Sequence, residues 1–439
     1  MASSVYVNWV WASGEAGLQT ELRRVPFGPR RKNGSIDPPL QIRLCPYNDA
    51  TPKMFAKRTN WNLTPNRLSE ALAAHRAAGK PLLDLTVSNP TECGFEYDRS
   101  AILKALSNPA ALSYEPNPRG LESARHAIAG YYADRGEDVW TEDIFLTAST
   151  SEAYSYVFRT LCDPGDEVLI PSPSYPLFDF LADIQDVSLV RYPLLYDDGW
   201  QIDFHALEQA ITPRTRGVIV VHPNNPTGNF VKCGEMGKLN ALCSARGMAI
   251  IADEVFLDFA VEEKRPASFA ANRGAPTFTL SGLSKICGLP QMKAAWLIVS
   301  GPQLWKSEAL ERLEVIADTY LSVNTPVQLA IPKFLEQRHA FQEQLMSRVR
   351  RNLAELDRLL APQKVCSRLA VEGGWCAVLR VLAIRSDEEV VLELLRSKGV
   401  YIHPGHFYDF PSEGYLIVSL ITRGEDFARG MANALILFR

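Results

Sequence analysis

The chain has 439 residues, of which 46% are apolar and 22% are charged. This ordinary globular composition excludes a disordered, collagen-like or coiled-coil protein. Lysine and arginine number 46 against 50 aspartates and glutamates, a net charge of −4, so no basic excess points to nucleic acid or to an anionic membrane. No apolar run reaches the length of about 18 residues that a membrane span needs.

The eight cysteines form no CxxC pair, and none lies at zinc spacing with a histidine. Many of them are expected to be buried as small apolar side chains. Reduced thiols are typical of the cytoplasm, so we expect a cytoplasmic protein without a metal site.

The first 53 residues differ from the rest of the chain. They contain five clustered basic residues among prolines and glycines, and they show no sustained periodicity. The acidic side chains of Glu15 and Glu21 argue against a transit peptide. We expect a disordered extension over 1–53, with Met54 as an alternative start.

Regular patterning begins with a helix that opens at Asn66 and closes at Gly79. A short apolar strand over 82–87 follows and is interrupted by Ser88 and Pro90. From there strands and helices alternate, which favours a mostly parallel sheet with helices on both faces. Strands are predicted over 144–147, 168–171, 217–221, 248–252, 278–280 and 294–299, and helices over 152–161 and 234–245.

A long helical region from 303 to about 360 separates this pattern from a different one. Strands are then predicted over 375–381 and 415–421, and helices over 388–398 and 426–437. We therefore expect a large α/β domain over 99–325. A smaller α+β domain would be built from 326–439 together with the N-terminal segment 54–98.

Polar clusters follow several predicted strands, where open parallel sheets bind their ligands. Ser149 and Thr150 form a hydroxyl-rich turn at a helix N-terminus, which suits either a phosphate or a plain helix cap. Asn225 lies in a turn fixed by Pro223, Pro226 and Gly228. Taken alone, that turn could be purely structural.

Two charged residues complete the series. Asp253 ends a hydrophobic strand, where a carboxylate is costly to bury without a cationic partner such as a protonated ring nitrogen. A helix cap or a salt bridge would explain it equally well. Lys285 follows Ser284 near another strand end, and a desolvated lysine is nucleophilic toward an aldehyde, although most lysines are solvated surface groups.

The order Ser149, Asn225, Asp253, Lys285 resembles that of the fold-type-I pyridoxal-phosphate enzymes, specifically the class I/II aminotransferases. The resemblance runs from about residue 82 to the C-terminus. Its most specific signals are the run Asn225-Pro226-Thr227-Gly228, the run Asp253-Glu254-Val255 and the pair Ser284-Lys285.

The resemblance implies a role for each matching position. Lys285 would hold pyridoxal phosphate as a Schiff base and move the proton of the substrate Cα, and Asp253 would pair with the pyridine nitrogen. Asn225 would bond the 3′ oxygen of the cofactor, and Tyr175 would stack on its ring. The phosphate would be bound by Ser149, Thr150, Ser284 and Lys293, and by Tyr114 from the neighbouring subunit of a homodimer.

Three positions depart from the family pattern. Phe256 stands where many relatives have a tyrosine, and Lys293 stands where an arginine is more usual. Ile417 occupies the place of the arginine that binds the substrate carboxylate. Ser88 and Arg423 are the candidates for substrate contacts, Arg423 being six residues downstream of Ile417.

The leading hypothesis is an aminotransferase that moves an amino group between an amino acid and a 2-oxo acid. The departure at Ile417 keeps open a β-lyase reaction on the same scaffold. A non-catalytic pyridoxal-phosphate module of a transcription regulator is disfavoured, because residues 1–53 lack the two amphipathic helices of a DNA-binding domain.

Overall fold

A computed structural model describes residues 54–262 and 266–438. The extension predicted over 1–53 lies outside the described residues. Among the residues described, no helix combines the length and the apolarity that a bilayer crossing requires.

Strands and helices alternate through the first two thirds of the described chain. The strands are β1 Leu83–Asp84, β2 Ile144–Thr147, β3 Glu167–Ser172, β4 Ser188–Tyr196, β5 Trp200–Ile202, β6 Thr215–Val221, β7 Ala249–Asp253, β8 Thr277–Gly282, β9 Ala295–Ser300, β10 Cys366–Arg368, β11 Cys376–Val381, β12 Val400–Tyr401, β13 His403–Pro404 and β14 Tyr415–Ser419. The helices are α1 Arg67–Ala77, α2 Arg99–Leu106, α3 Glu122–Ala133, α4 Thr150–Leu161, α5 Phe178–Ile184, α6 Phe204–Gln209, α7 Cys233–Arg246, α8 Leu283–Ile286, α9 Gln303–Tyr320, α10 Thr325–Leu360, α11 Asp387–Lys398 and α12 Gly424–Phe438.

The large sheet has the strand order β2-β9-β8-β7-β6-β3-β4-β5. The pairs β3–β4, β3–β6, β6–β7 and β7–β8 are parallel, which confirms the mostly parallel α/β architecture. Strand β9 runs antiparallel to both β8 and β2, so β2 points in the same direction as β8. The carboxyl ends of β2, β3, β6, β7 and β8 therefore lie at one edge of the sheet.

Helices cover both faces of this sheet. Alternate residues of β7 face opposite sides, as the strand period of two requires. Ile250 belongs to the same apolar cluster as Leu239 of α7, whereas Ile251 belongs to the cluster on the other face with Val157 of α4 and Leu313 of α9. A strand buried on both faces reads as one continuous apolar run, which is why β7 was visible in the sequence.

The long helical region is two helices. The backbone at Leu321 takes a left-handed conformation that ends α9, and the Asn324 side chain accepts a hydrogen bond from the Val327 N–H at 3.0 Å to begin α10. The apolar face of α10 is buried along its length, from Val327 to Leu360.

Beyond α10, the strands β10-β11-β14-β13 form an antiparallel sheet covered by α11 and α12. The strand predicted over 82–87 is only two residues long. It pairs in parallel with β12, Leu83 opposite Val400, so the segment near residue 83 packs with the C-terminal part. The domain boundaries at 98/99 and 325/326 stay a prediction.

Candidate active site

The carboxyl edge of the large sheet brings together the residues singled out in the sequence. Ser149 and Thr150 follow β2, Tyr175 follows β3, Asn225 follows β6, Asp253 ends β7, and Ser284 and Lys285 follow β8. Lys293 precedes the antiparallel strand β9 and so lies at the same edge. The edge thus carries hydroxyl, amide, carboxylate and amine groups within one site.

Asp253 is a buried carboxylate, with 9% of its surface exposed. Its Oδ2 accepts a hydrogen bond from the Tyr154 hydroxyl at 3.1 Å, and its Oδ1 accepts one from the Val255 N–H at 3.2 Å. Burial raises the pKa of Asp253 to about 6, which these two bonds and the charge of Lys285 only partly offset. A cationic ring nitrogen would relieve this cost.

Lys285 lies in the short helix α8, one strand away from Asp253. Its Nζ lies over two aromatic rings, 4.9 Å from the centroid of Trp375 and 5.5 Å from that of Phe256. Burial of the amine lowers the pKa of Lys285 to about 8, against the opposing influence of Cys376 and Asp253. At pH 7 about a tenth of such an amine is unprotonated and nucleophilic, far more than for an ordinary lysine.

An anion can be bound at the N-terminus of α4. Ser149 is the N-cap of this helix, and its Oγ accepts the Glu152 N–H at 3.2 Å. The first N–H groups of a helix have no partner within the helix, so those that start at Thr150 are available to a phosphate. Ser284 is half-buried at the same edge, and Lys293 is exposed.

The loop after β6 is rigidly held. The Asn224 side-chain amide donates to the Pro173 carbonyl at 3.0 Å and to the Thr227 hydroxyl at 2.7 Å. Its neighbour Asn225 is 6% exposed, and its Oδ1 has no hydrogen-bond partner in the described part of the chain. Such an orphaned polar atom in a fixed loop indicates a ligand group opposite it.

Tyr175 and Tyr114 differ in their surroundings. Tyr175 is half-buried at the sheet edge and meets Phe178 edge-on, with 6.1 Å between the ring centroids. Tyr114 is 75% exposed and borders a narrow cleft beside Leu146 and Gln328. No described residue covers Tyr114, so its ring is accessible from outside this part of the chain.

Ile417 lies on the face of the smaller sheet that faces Lys285. Strands β11 and β14 pair Val378 with Ile417 and Cys376 with Ser419, so all four side chains share one face. Burial raises the pKa of the Cys376 thiol to about 12, against the charge of Lys285 close by. The side chain of Ile417 is 2% exposed and brings no charge to this face.

The two predicted substrate contacts lie around one loop. Ser88 is buried next to Val87, whose carbonyl accepts the Ser419 hydroxyl. Arg423 is exposed, with its guanidinium against Gly94 of the same loop. Arg348 donates from Nη1 to the Cys93 carbonyl at 3.3 Å, which places a second guanidinium there.

Three side chains of the site were not foreseen from the sequence. Tyr154 lies one helical turn beyond Thr150, so its spacing within α4 was an available signal. Trp375 and Cys376 follow the pair Gly373-Gly374, and no local pattern placed them beside Lys285. Only the approach of β11 to the large sheet brings them there.

The comparisons with known proteins agree with this geometry. The family "Aminotransferase class I and II" matches residues 80–423. The alanine aminotransferase of Mycobacterium tuberculosis is 29% identical over 382 residues, covering 83% of this chain and 87% of the relative. The glutamate-pyruvate aminotransferase AlaA of Escherichia coli is 28% identical over 359 residues, 79% of this chain and 88% of the relative.

A solved aminotransferase structure from Escherichia coli has a TM-score of 0.75 and 26% identity, covering 85% of this chain and 94% of that one. The S-alkyl-thiohydroximate lyase SUR1 of Arabidopsis thaliana is 29% identical over 54% of this chain and 52% of its own length, so the lyase likeness is partial. The chain belongs to the class I and II aminotransferases, enzymes that use pyridoxal phosphate to transfer amino groups.

Proposed function

We propose that this enzyme transfers the amino group of a small amino acid to a 2-oxo acid, with alanine, glutamate and pyruvate as the first compounds to test. The observation that carries the proposal is the amine of the half-buried Lys285, which lies over two aromatic rings one strand away from the buried carboxylate of Asp253. The names of the bacterial relatives support the choice of compounds.

Pyridoxal phosphate, when bound, supplies an aldehyde for a lysine amine and a pyridine ring that accepts electrons. Asp253 would keep a proton on the ring nitrogen, and the Tyr154 hydroxyl orients the carboxylate. Asn225 would bond the 3′ oxygen, and Tyr175 would pack against the ring. Ser149, Thr150, Ser284 and Lys293 would bind the phosphate.

Lys285 acts as the general base and acid at the substrate Cα. Its pKa of about 8 is close to neutral, so the amine takes up and releases a proton at physiological pH. The rings of Trp375 and Phe256 pack beside the amine and lower its contact with water. Ser88 and Arg423 contact the substrate from the neighbouring loop.

The same proposal extends to assembly and location. A homodimer in which Tyr114 reaches the phosphate of the partner subunit is supported by the exposure of Tyr114 (75%) and of Leu112 (93%). A cytoplasmic location is supported by the free thiols of the described cysteines. Residues 99–325 form the large domain, and 54–98 with 326–439 form the smaller one.

One experiment separates transfer from elimination. The purified holoenzyme is mixed with a single amino acid in the absence of an amino acceptor, and the cofactor and products are followed. Conversion of the cofactor to pyridoxamine phosphate with alanine or glutamate supports transamination. Release of pyruvate and ammonia from a cysteine conjugate, with the cofactor unchanged, would instead establish a lyase.

A further inference from the structure

The indole of Trp375 lies at the inner end of the site. It is 3% exposed, and the Lys285 amine lies 4.9 Å from its ring centroid. Its backbone is fixed from both sides, because its carbonyl accepts the Leu420 N–H at 2.7 Å and the neighbouring Gly374 N–H donates to the Phe259 carbonyl at 2.9 Å.

Aromatic packing fixes the ring as well. Phe256 and Phe259 meet the indole edge-on, with centroid distances of 5.1 and 5.2 Å. Yet the indole Nε1–H has no hydrogen-bond partner in the described part of the chain. An indole nitrogen can only donate, and a buried donor is almost always paired, so an acceptor from a ligand is the simplest partner.

The substrate of an aminotransferase can supply that acceptor. An amino acid brings a carboxylate to the side of the lysine amine, and a buried carboxylate must be hydrogen-bonded or paired. Near Lys285, the Phe256 ring and the Cys376 thiol are uncharged, as is Ile417 on the same sheet face as Cys376. Trp375, which precedes Cys376 in the chain, is a donor beside Lys285 that is buried and has no hydrogen-bond partner in the described part of the chain.

We propose that the Trp375 indole N–H donates a hydrogen bond to the substrate carboxylate, which is therefore held at its inner end by a neutral donor. This inference rests on the proposed function, since it presumes an amino-acid substrate. Arg423, exposed beside Gly94, contacts the substrate from the outer side. Trp375 is a specificity-determining residue, and Lys285 and Asp253 carry the chemistry.

The test measures equilibrium binding of two unreactive substrate fragments, propanoate and propanamide, to the holoenzyme by calorimetry. Trp375→Phe keeps an aromatic ring and removes the N–H. Trp200→Phe is the matched control, because Trp200 is also buried with an unpartnered Nε1 but packs against Tyr196 and Phe410 at the far edge of the sheet. Thermal unfolding and cofactor absorbance verify that each variant is folded and loaded.

We expect Trp375→Phe to weaken propanoate binding roughly tenfold or more, because hydrogen bonds to charged groups are the stronger ones. Propanamide should weaken by clearly less, and Trp200→Phe should match the wild type. Equal losses for both compounds, unchanged propanoate affinity in Trp375→Phe, or no propanoate binding to the wild type would each overturn the inference. A failure of the proposed function is separate, since it would show as no pyridoxamine phosphate from any amino acid.

Discussion

Asp253 holds a negative charge in a place that favours the neutral acid. Its pKa of about 6 in the folded protein lies above the ordinary value of 3.8, and burial is the main cause. The folded protein therefore keeps a proton between pH 4 and 6 that the unfolded chain has lost. Because the folded protein binds this proton more tightly than the unfolded chain does, Asp253 lowers the free energy of unfolding as the pH rises from about 4 to 6.

The cofactor-free enzyme should reveal this cost. We expect the free energy of unfolding of the wild type to fall relative to that of Asp253→Asn by up to about 3 kcal/mol between pH 4 and 7. Urea unfolding of both apo-proteins across this range measures the difference. Added pyridoxal phosphate should restore the free energy of unfolding of the wild type at pH 7. Parallel pH profiles of the two apo-proteins would mean that burial of the Asp253 carboxylate costs no stability.

Phe256 lacks the hydroxyl that we expect to bond the 3′ oxygen of the bound cofactor. Its ring centroid lies 5.5 Å from the Lys285 amine, so we expect a hydroxyl added to this ring to lie near that oxygen. A donor that stabilises the anionic oxygen lets the adjacent nitrogen lose its proton at lower pH. We expect Phe256→Tyr to lower the pKa of the holoenzyme's visible absorbance titration.

The control for this titration is Phe256→Leu, which adds no hydroxyl and should show no downward shift. The wild type should keep its long-wavelength absorbance at neutral pH. A titration in Phe256→Tyr that is unchanged from the wild type would mean that the side chain of residue 256 does not face the 3′ oxygen.

The sequence alone revealed several polar and charged residues at the ends of apolar strands, where such groups are uncommon. A carboxylate at the end of an apolar strand and a lysine between small residues were visible without a structure, as were the fixed turn at Asn225 and the hydroxyls at Ser149. Trp375 was not visible, because a buried tryptophan in a strand-like segment reads as core. Its role depends on contacts between segments 90 residues apart in the chain, Lys285 and Trp375.

Among the elements, the loop after β6 joins the two sheets. The Gly373 N–H donates to the Gly228 carbonyl at 2.8 Å, so this loop holds the segment that leads into Trp375 and β11. Gly228 has a φ of +74°, and a Cβ there would lie 2.7 Å from the Gly373 carbonyl oxygen. Both its conformation and the space around it require glycine.

Gly228→Ala should therefore destabilise the enzyme by more than the conformational cost alone. Gly165→Ala is the matched control, because Gly165 has a φ of +86° but open space around a Cβ. We expect a loss of roughly 1 kcal/mol for the control and at least twice that for Gly228→Ala, with weaker cofactor binding only in the latter. Equal losses of unfolding free energy in the two variants would mean that the loop can make room for the added methyl group at no further cost.

Strands that are buried on both faces were predicted from the sequence, whereas the half-exposed strand β4 was not. The buried strands β2, β6, β7, β8 and β9 were visible as apolar runs. Strand β4, Ser188–Tyr196, is mostly half-exposed near the sheet edge and gave no clear signal. The break between α9 and α10 has a local cause, since Asn324 caps a helix that begins with Thr325-Pro326. The prediction of one continuous helical region from 303 to 360 missed this start signal.

For the whole molecule, we expect a homodimer with shared active sites. Exposed apolar side chains near Tyr114 are costly in water and favour an isologous interface. Sedimentation should give a dimer at micromolar concentration. Tyr114→Phe should weaken binding of the cofactor phosphate but leave the dimer intact. A monomer that is fully active at nanomolar concentration would contradict this assembly.

We propose that Lys285 carries the cofactor at the carboxyl edge of the large sheet. Borohydride reduction of the holoenzyme fixes the pyridoxyl group to the lysine that holds it, and peptide mapping then identifies that lysine. We expect a single labelled peptide with the group on Lys285. Recovery of the label on any other lysine, such as Lys293 at the same edge, would contradict it.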